Sequence, residues 1–220
     1  LHQTRDKQLV VHHDLTLSRT TTGRGLIAWK RAPELKRLRL KGPQGQVTDQ
    51  TLPFLSEVLD LLPDRPDLMV ELKRGPLGPY SGFAPWRGFV NRVIETLRER
   101  GALERTWLAS SSTRYLREAH FLAPGLRCEL PGRERLRRPS AGLGAQSSRG
   151  FAFVLIKAEA LASWRDIARG DVPLLRFAIL PNRLREEEAK ELVSVCTSIG
   201  FDGILTDSLR WRDYAPRGGL

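Results

Sequence analysis

Cysteine is nearly absent from this chain. Its two cysteines, Cys128 and Cys196, stand far apart and match no metal-ligand spacing. A disulfide-rich scaffold and a cysteine-based zinc centre are thereby excluded. Cys128 lies in an apolar stretch and is expected to be a buried small hydrophobe. No apolar run approaches the ~20 residues that a membrane-spanning helix needs, so no transmembrane segment is expected in this chain. No glycine-rich phosphate loop follows any predicted strand, which argues against a dinucleotide-binding fold. Acidic residues are outnumbered, 25 Asp and Glu against 36 Lys and Arg, for a net charge of +11.

A basic balance attracts polyanions, phosphorylated substrates among them. The arginines are scattered, however. Arg133, Arg135, Arg137 and Arg138 form the one dense run, and no aromatics interleave with it, so no nucleic-acid partner is expected. With 220 residues, 40 % of them hydrophobic and spread along its length, the chain has the size of one domain and the composition for a sizeable core. Cytoplasmic and exported locations are both compatible with it.

Local signals divide the chain. Thr4 to Lys7 reads as a polar turn, and Gln8 to His12 as a short β run. Residues 14–50 are rich in Thr, Gly, Arg and Lys and read as loops around at most one short helix, Pro33 to Leu40. From Thr51 a rhythm sets in. Thr51 is expected to cap a helix, with Pro53 in its first turn and Pro63 at its end. Strands are then predicted over Leu68–Lys73, Thr106–Ala109, Leu126–Leu130, Phe151–Ile156, Leu174–Leu180 and Gly203–Thr206. Helices are predicted between them, over Trp86–Arg100, Thr113–Leu122, Ala158–Ala168 and Arg183–Ile199. Alternation of this kind argues for a parallel sheet of the α/β class, as a barrel or as an open doubly wound sheet.

The strand ending in Glu71 and Lys73 carries the most chemistry. Side chains alternate across a strand. Leu68, Val70 and Leu72 share one face; Met69, Glu71 and Lys73 share the other. An acid and a base thus stand together near the strand's C-terminal end, where parallel barrels build their active sites. Such a pair suits a metal and a phosphate, and it equally suits a structural ion pair in a barrel interior. His12-His13-Asp14 follows the first β run. Adjacent strand histidines point to opposite faces, and His13 is the candidate acid/base catalyst or an inert loop residue. His2 and His120 sit in no motif and read as structural or surface residues. Asp207 reads as the cap of a last short helix.

Four segments together resemble the glycerophosphodiester phosphodiesterases. Thr4-Arg5-Asp6 through His13-Asp14 resembles that family's T-x-D-x-x-x-V-x-H-D. Thr16-Leu17-Ser18-Arg19-Thr20-Thr21-Thr22-Gly23-Arg24-Gly25 resembles its T-L-x-R-T-T-x-G-x-G. Leu52 to Leu59, followed by Val70-Glu71-Leu72-Lys73, is similar to P-T-L-x-E-V-L and I-E-I-K. Phe201-Asp202-Gly203-Ile204-Leu205-Thr206-Asp207 is similar to V-D-G-I-I-T-D.

The resemblance implies a (β/α)8 TIM-type barrel, here lacking the first strand and most of the second. Residues 1–220 would be a single domain, with 14–50 a small insertion over the barrel mouth. It implies hydrolysis of small-molecule glycerophosphodiesters to glycerol 3-phosphate and an alcohol, in phospholipid and glycerol metabolism. It implies a divalent metal, Mg²⁺ or Ca²⁺, held by three carboxylates, of which Glu71 is one. The other two belong to an E-x-D motif whose Asp would fall just before Leu1. His13 matches one of two family histidines; the other sits in an H-R dipeptide that these residues lack. Lys73 matches a lysine near the phosphate. With one carboxylate and one histidine, residues 1–220 alone are expected to be nearly inactive. A shortened, non-catalytic barrel that binds or supports is the alternative. Arg176 to Asn182 lacks the W-T-V-N usual on the seventh strand, which bears on the alcohol-side pocket.

Overall fold

Residues 1–62, 67–75, 86–129, 151–157, 175–180, 185–198 and 200–205 are described by the computed structural model. They fall into two units, Leu1–Leu126 and Arg127–Leu220.

The first unit opens with a small hairpin. β1 (His2–Gln3) pairs antiparallel with β2 (Leu9–Val10), His2 opposite Val10. Thr4 and Asp6 build the turn between them. Thr4 Oγ1 donates to Asp6 Oδ1 at 2.6 Å and accepts from the Gln8 N–H at 2.8 Å. Lys7 takes a left-handed φ of 65°, a conformation uncommon for a side chain with a Cβ. Asp6 also accepts from the Ala32 N–H at the first turn of α1 (Ala32–Lys36). The T-x-D spacing is therefore a structural device: it closes a turn and stops a helix end.

Residues 14–50 carry more regular structure than their composition suggests. Besides α1 they hold a 3-10 turn, Ile27–Trp29, and an antiparallel pair, β3 (Arg39–Lys41) with β4 (Val47–Thr51). Val10, Leu17, Ile27, Leu35, Leu52 and Phe54 form a core beneath them. Two glycines of the T-T-x-G-x-G stretch have separate causes. A Cβ at Gly23 would run into Leu38, and Gly25 has φ +88°, a region that favours glycine.

The next helix starts later than expected. α2 spans Leu55–Leu61, and Thr51 is the last residue of β4, paired with Arg39. The cap comes from inside the helix: Glu57 Oε2 accepts from the Phe54 N–H at 2.9 Å and from Lys36 Nζ at 2.5 Å. Tertiary pairing of Thr51 and burial of Leu52 outweighed the local Thr-Leu-Pro signal.

β5 (Leu68–Glu71) and β6 (Thr106–Ala109) follow, parallel and in register from Leu68 opposite Thr106 to Glu71 opposite Ala109. α3 (Trp86–Glu99) connects them and α4 (Thr113–Leu122) follows. Phe89, Val90, Val93, Ile94 and Leu97 are the buried stripe of α3, at helical spacing. Each such side chain contributes roughly 1.5–3 kcal/mol by leaving water.

The second unit is a run of parallel strands. β7 (Arg127–Glu129), β8 (Phe151–Lys157), β9 (Leu175–Ile179) and β10 (Gly203–Leu205) pair each with the next in chain order, and α5 (Glu186–Ser198) precedes β10. This order contains no reversal of the kind that marks a doubly wound sheet. Gly203 stands opposite Phe177, whose ring would lie 2.6 Å from any Cβ added there. Phe177 in turn meets Phe153 edge to face at 6.0 Å. The small residue in the D-G-I stretch thus makes room for an aromatic pair. Both cysteines are buried thiols, and burial pushes the Cys128 thiol up to about 12. The six strands predicted from Leu68 onward all have counterparts among the described residues. The expected Ala158–Ala168 helix, the Arg133–Arg138 run and Asp207 lie outside them.

Candidate active site

The alternation along β5 holds. Val70 and Leu72 are buried. On the other side Lys73 Nζ lies 2.6 Å from Glu71 Oε2. The lysine side chain is the more enclosed of the two, 20 % exposed against 46 % for Glu71. A carboxylate that open can take up a hard cation, and an ammonium that close can turn to a phosphoryl oxygen.

Leu1 runs beside this strand end. Its amino group donates to the Glu71 carbonyl, and its own carbonyl accepts from the Lys73 N–H at 3.1 Å. The next residue, His2, is 5 % exposed. Its Nε2 lies 3.2 Å from the carbonyl oxygen of His13. A carbonyl only accepts, so the His2 proton resides on Nε2. Burial pushes the His2 pKa down to about 4 and outweighs the bond to the His13 carbonyl, which acts the other way. His2 is therefore a neutral imidazole near pH 7.

His12 is held at both ring nitrogens. Nδ1 donates to the Asp14 carbonyl at 2.9 Å, and Nε2 accepts from the Thr20 hydroxyl at 2.8 Å. The neighbouring His13 points its ring to solvent, 73 % exposed. Its Nδ1 donates to Asp14 Oδ1 at 2.8 Å. That bond leaves Nε2 as the nitrogen that can exchange a proton with a substrate. Asp14 is itself clamped: Arg19 Nε lies 2.5 Å from Oδ2 and Nη2 2.9 Å from Oδ1. The Arg19 guanidinium first, and His13 second, hold the Asp14 carboxyl well below the usual carboxylate range.

Of the sequence candidates, Glu71 and Lys73 are thus in direct contact, and His13 is joined to their strand end through Leu1 and His2. Three participants were not singled out from sequence. Asp14 had a signal, its place next to His13. Arg19 had a weak one, a cation within reach of Asp14. His2 had none, because its contact depends on the antiparallel pairing of β1 with β2. Among the described residues no three His, Cys, Asp or Glu side chains come together to hold a metal ion. Glu71 fits a hard cation as one ligand of several and does not by itself make a site. An open recess of about 680 Å³ is lined by Thr16, Ser18, Arg24 and Lys41 among others, and by none of Glu71, Lys73 and His13. Among the described residues no helix is long and apolar enough to cross a membrane.

Comparison with known proteins gives concordant results. The model of the Glycerophosphoryl diester phosphodiesterase family matches residues 1–137. A glycerophosphodiester phosphodiesterase of Caldanaerobacter subterraneus subsp. tengcongensis is 28 % identical over 209 residues, which cover 93 % of this chain and 78 % of that protein. A crystal structure from Silicibacter pomeroyi, assigned to the glycerophosphoryl diester phosphodiesterases, superposes with a TM-score of 0.73 at 23 % identity, covering 94 % of this chain and 77 % of that one. An Oleispira antarctica phosphodiesterase, solved in complex with the product sn-glycerol-3-phosphate, gives 0.68 at 22 % identity, covering 93 % and 78 %. These likenesses show the fold, a TIM barrel.

Proposed function

This chain belongs to the glycerophosphoryl diester phosphodiesterase family of phosphoric diester hydrolases, and from that premise we propose that it hydrolyses glycerophosphodiesters to glycerol 3-phosphate and an alcohol, with a divalent metal. The observation that carries this is the Glu71–Lys73 pair, 2.6 Å apart at the end of a parallel strand. The product complex of the Oleispira antarctica relative supports a small glycerol phosphate as the ligand class.

Each residue has a distinct role in this proposal. Lys73 turns from Glu71 to the phosphodiester and offsets the charge that builds on its oxygens as the new bond forms. His13 exchanges a proton with the attacking or leaving oxygen through Nε2, the nitrogen not engaged by Asp14. Asp14 keeps the ring in that tautomer, and Arg19 keeps Asp14 in place. Mg²⁺ or Ca²⁺, when bound, would add Lewis-acid charge at the phosphoryl oxygens. Glu71 would be one of its ligands; the E-x-D carboxylates and the H-R histidine that the family resemblance implies are not among these residues. We assign residues 1–220 to one barrel domain in which the first strand and most of the second are not represented, and residues 14–50 to an insertion over its mouth.

The test is glycerol 3-phosphate release by the full-length encoded protein with Mg²⁺, Ca²⁺ or EDTA. Metal-dependent release that EDTA abolishes, and that Glu71→Ala lowers at least ~10²-fold, is expected. Unchanged activity in Glu71→Ala, or turnover indifferent to EDTA, would sink the proposal. A second reading, a barrel that binds glycerophosphodiesters without cleaving them, draws on the lack of a three-donor metal group among the described residues. Substrate binding by calorimetry with no product release under any metal would favour it.

A further inference from the structure

His2 sits in no motif, yet it is a buried imidazole, hydrogen-bonded to the His13 carbonyl and tilted against the His12 ring at 6.4 Å. It stands on β1, opposite Val10 of β2, and the pairing of these two strands is only two residues long. Past Val10 the chain leaves the sheet, and the backbone of His12 and His13 has no strand partner of its own among the described residues. Val11 is held by the Pro53 carbonyl at 2.9 Å. The next fixed point on the main chain is the His13 carbonyl, taken by His2 Nε2. Asp14 fixes the His13 ring and is itself clamped by Arg19, both within the segment that follows β2. The bond from His2 is the one that ties this peptide to a different strand. Leu1, the residue just before that strand, bonds through its backbone to Glu71 and Lys73.

We propose that His2 is a positioning residue for His13: its Nε2–H holds the His13 carbonyl and so places the His13 imidazole relative to Glu71 and Lys73. This rests on the function proposed above. Protonation of His2 would not break the bond, since Nε2 donates in either state, but burial keeps the ring neutral, and a neutral ring with its proton on Nε2 has Nδ1 bare. The three histidines near the site therefore differ in tautomer. His2 carries its proton on Nε2, whereas His12 and His13 carry theirs on Nδ1.

Two variants of the full-length encoded protein separate positioning from folding. His2→Leu keeps apolar bulk and removes the donor; His2→Gln keeps a side-chain N–H donor. We expect His2→Leu to lower kcat by roughly 10- to 100-fold, the scale of a misplaced catalytic group, with KM changed less than about threefold. His2→Gln should recover most of the loss. Long-range ¹H–¹⁵N spectra, which need no turnover, should show His13 as the Nδ1–H tautomer in the parent and in His2→Gln, with altered His13 signals in His2→Leu. Wild-type kcat and unchanged His13 signals in His2→Leu would overturn the proposal, as would a Gln variant as impaired as the Leu variant. If His13 shifts in His2→Leu while even the parent protein cleaves nothing, positioning stands and the phosphodiesterase reading fails.

Discussion

Lys73 Nζ and Glu71 Oε2 are 2.6 Å apart at the C-terminal end of β5, while Val70 and Leu72 are buried. The pair is partly open to solvent. Exposed ion pairs contribute only about 0–1 kcal/mol to stability. Lys73→Met and Glu71→Gln should therefore leave the melting temperature within a few degrees of the parent. Activity should fall at least ~10²-fold in each, because both groups act where charge develops. Thermal melts alongside product-release kinetics check this. A large loss of stability with proportionate loss of activity would mark the pair as structural.

Asp14 ties His13 to Arg19 through its two oxygens. Replacing it with alanine frees the His13 ring to take either tautomer and turn. We expect Asp14→Ala to lower kcat by roughly 10- to 10³-fold, within the range for impaired acid–base catalysis. Arg19→Leu should cost less, since Asp14 can still accept from His13. Equal kcat in Asp14→Ala and the parent would remove Asp14 from the site's workings.

The pH dependence of stability follows from His2. Its folded pKa, about 4, lies below the ordinary histidine value of 6.5. Between these values the unfolded chain binds the extra proton and the folded chain does not, so stability rises with pH there. The contribution is full above about pH 6.5 and is lost as pH falls toward 4, amounting to roughly 1–3 kcal/mol. Urea titrations at pH 7 and pH 4.5 should show the loss in the parent and a smaller one in His2→Gln. An identical pH slope in both proteins would count against a depressed His2 pKa. The Asp14 contribution falls in a separate, more acidic window, because its carboxyl is held low by Arg19.

Leu97 and Phe121 test what the core requires. Leu97 is fully buried at the C-terminal end of α3, and Phe121, on α4, is 79 % exposed. Leu97→Ala should destabilise by about 2–5 kcal/mol through lost burial and a cavity. Phe121→Ser should change stability by no more than about 0.5 kcal/mol. Denaturant titration of both variants decides it; a costly Phe121→Ser would mean that this ring is covered.

Much of the scaffold was legible along the chain. Strands β5 to β10 are short apolar runs between helical stretches, and their signal is local: side-chain alternation and composition over a few residues. The Glu71–Lys73 juxtaposition was legible for the same reason, since two-residue spacing on one strand face is a property of the backbone. The β3–β4 pair was not. Its residues are largely polar and at least partly exposed, Arg39, Thr48 and Gln50 among them, and what makes them strands is pairing with each other. Thr51 reads as a helix cap by itself and becomes a strand residue because Arg39 lies opposite it.

The division is clear at the candidate site. By itself the sequence determined which chemical groups are present, that Glu71 and Lys73 share a face, and that His13 has Asp14 beside it. Only the tertiary structure decided that Arg19 returns to clamp Asp14, that Leu1 lies along Glu71 and Lys73, and that His2 is buried against the His13 carbonyl. Those contacts join segments through hydrogen bonds whose donors and acceptors exist in every chain of this composition. Which of them meet is set by strand pairing and by the desolvation that makes each buried polar group find a partner.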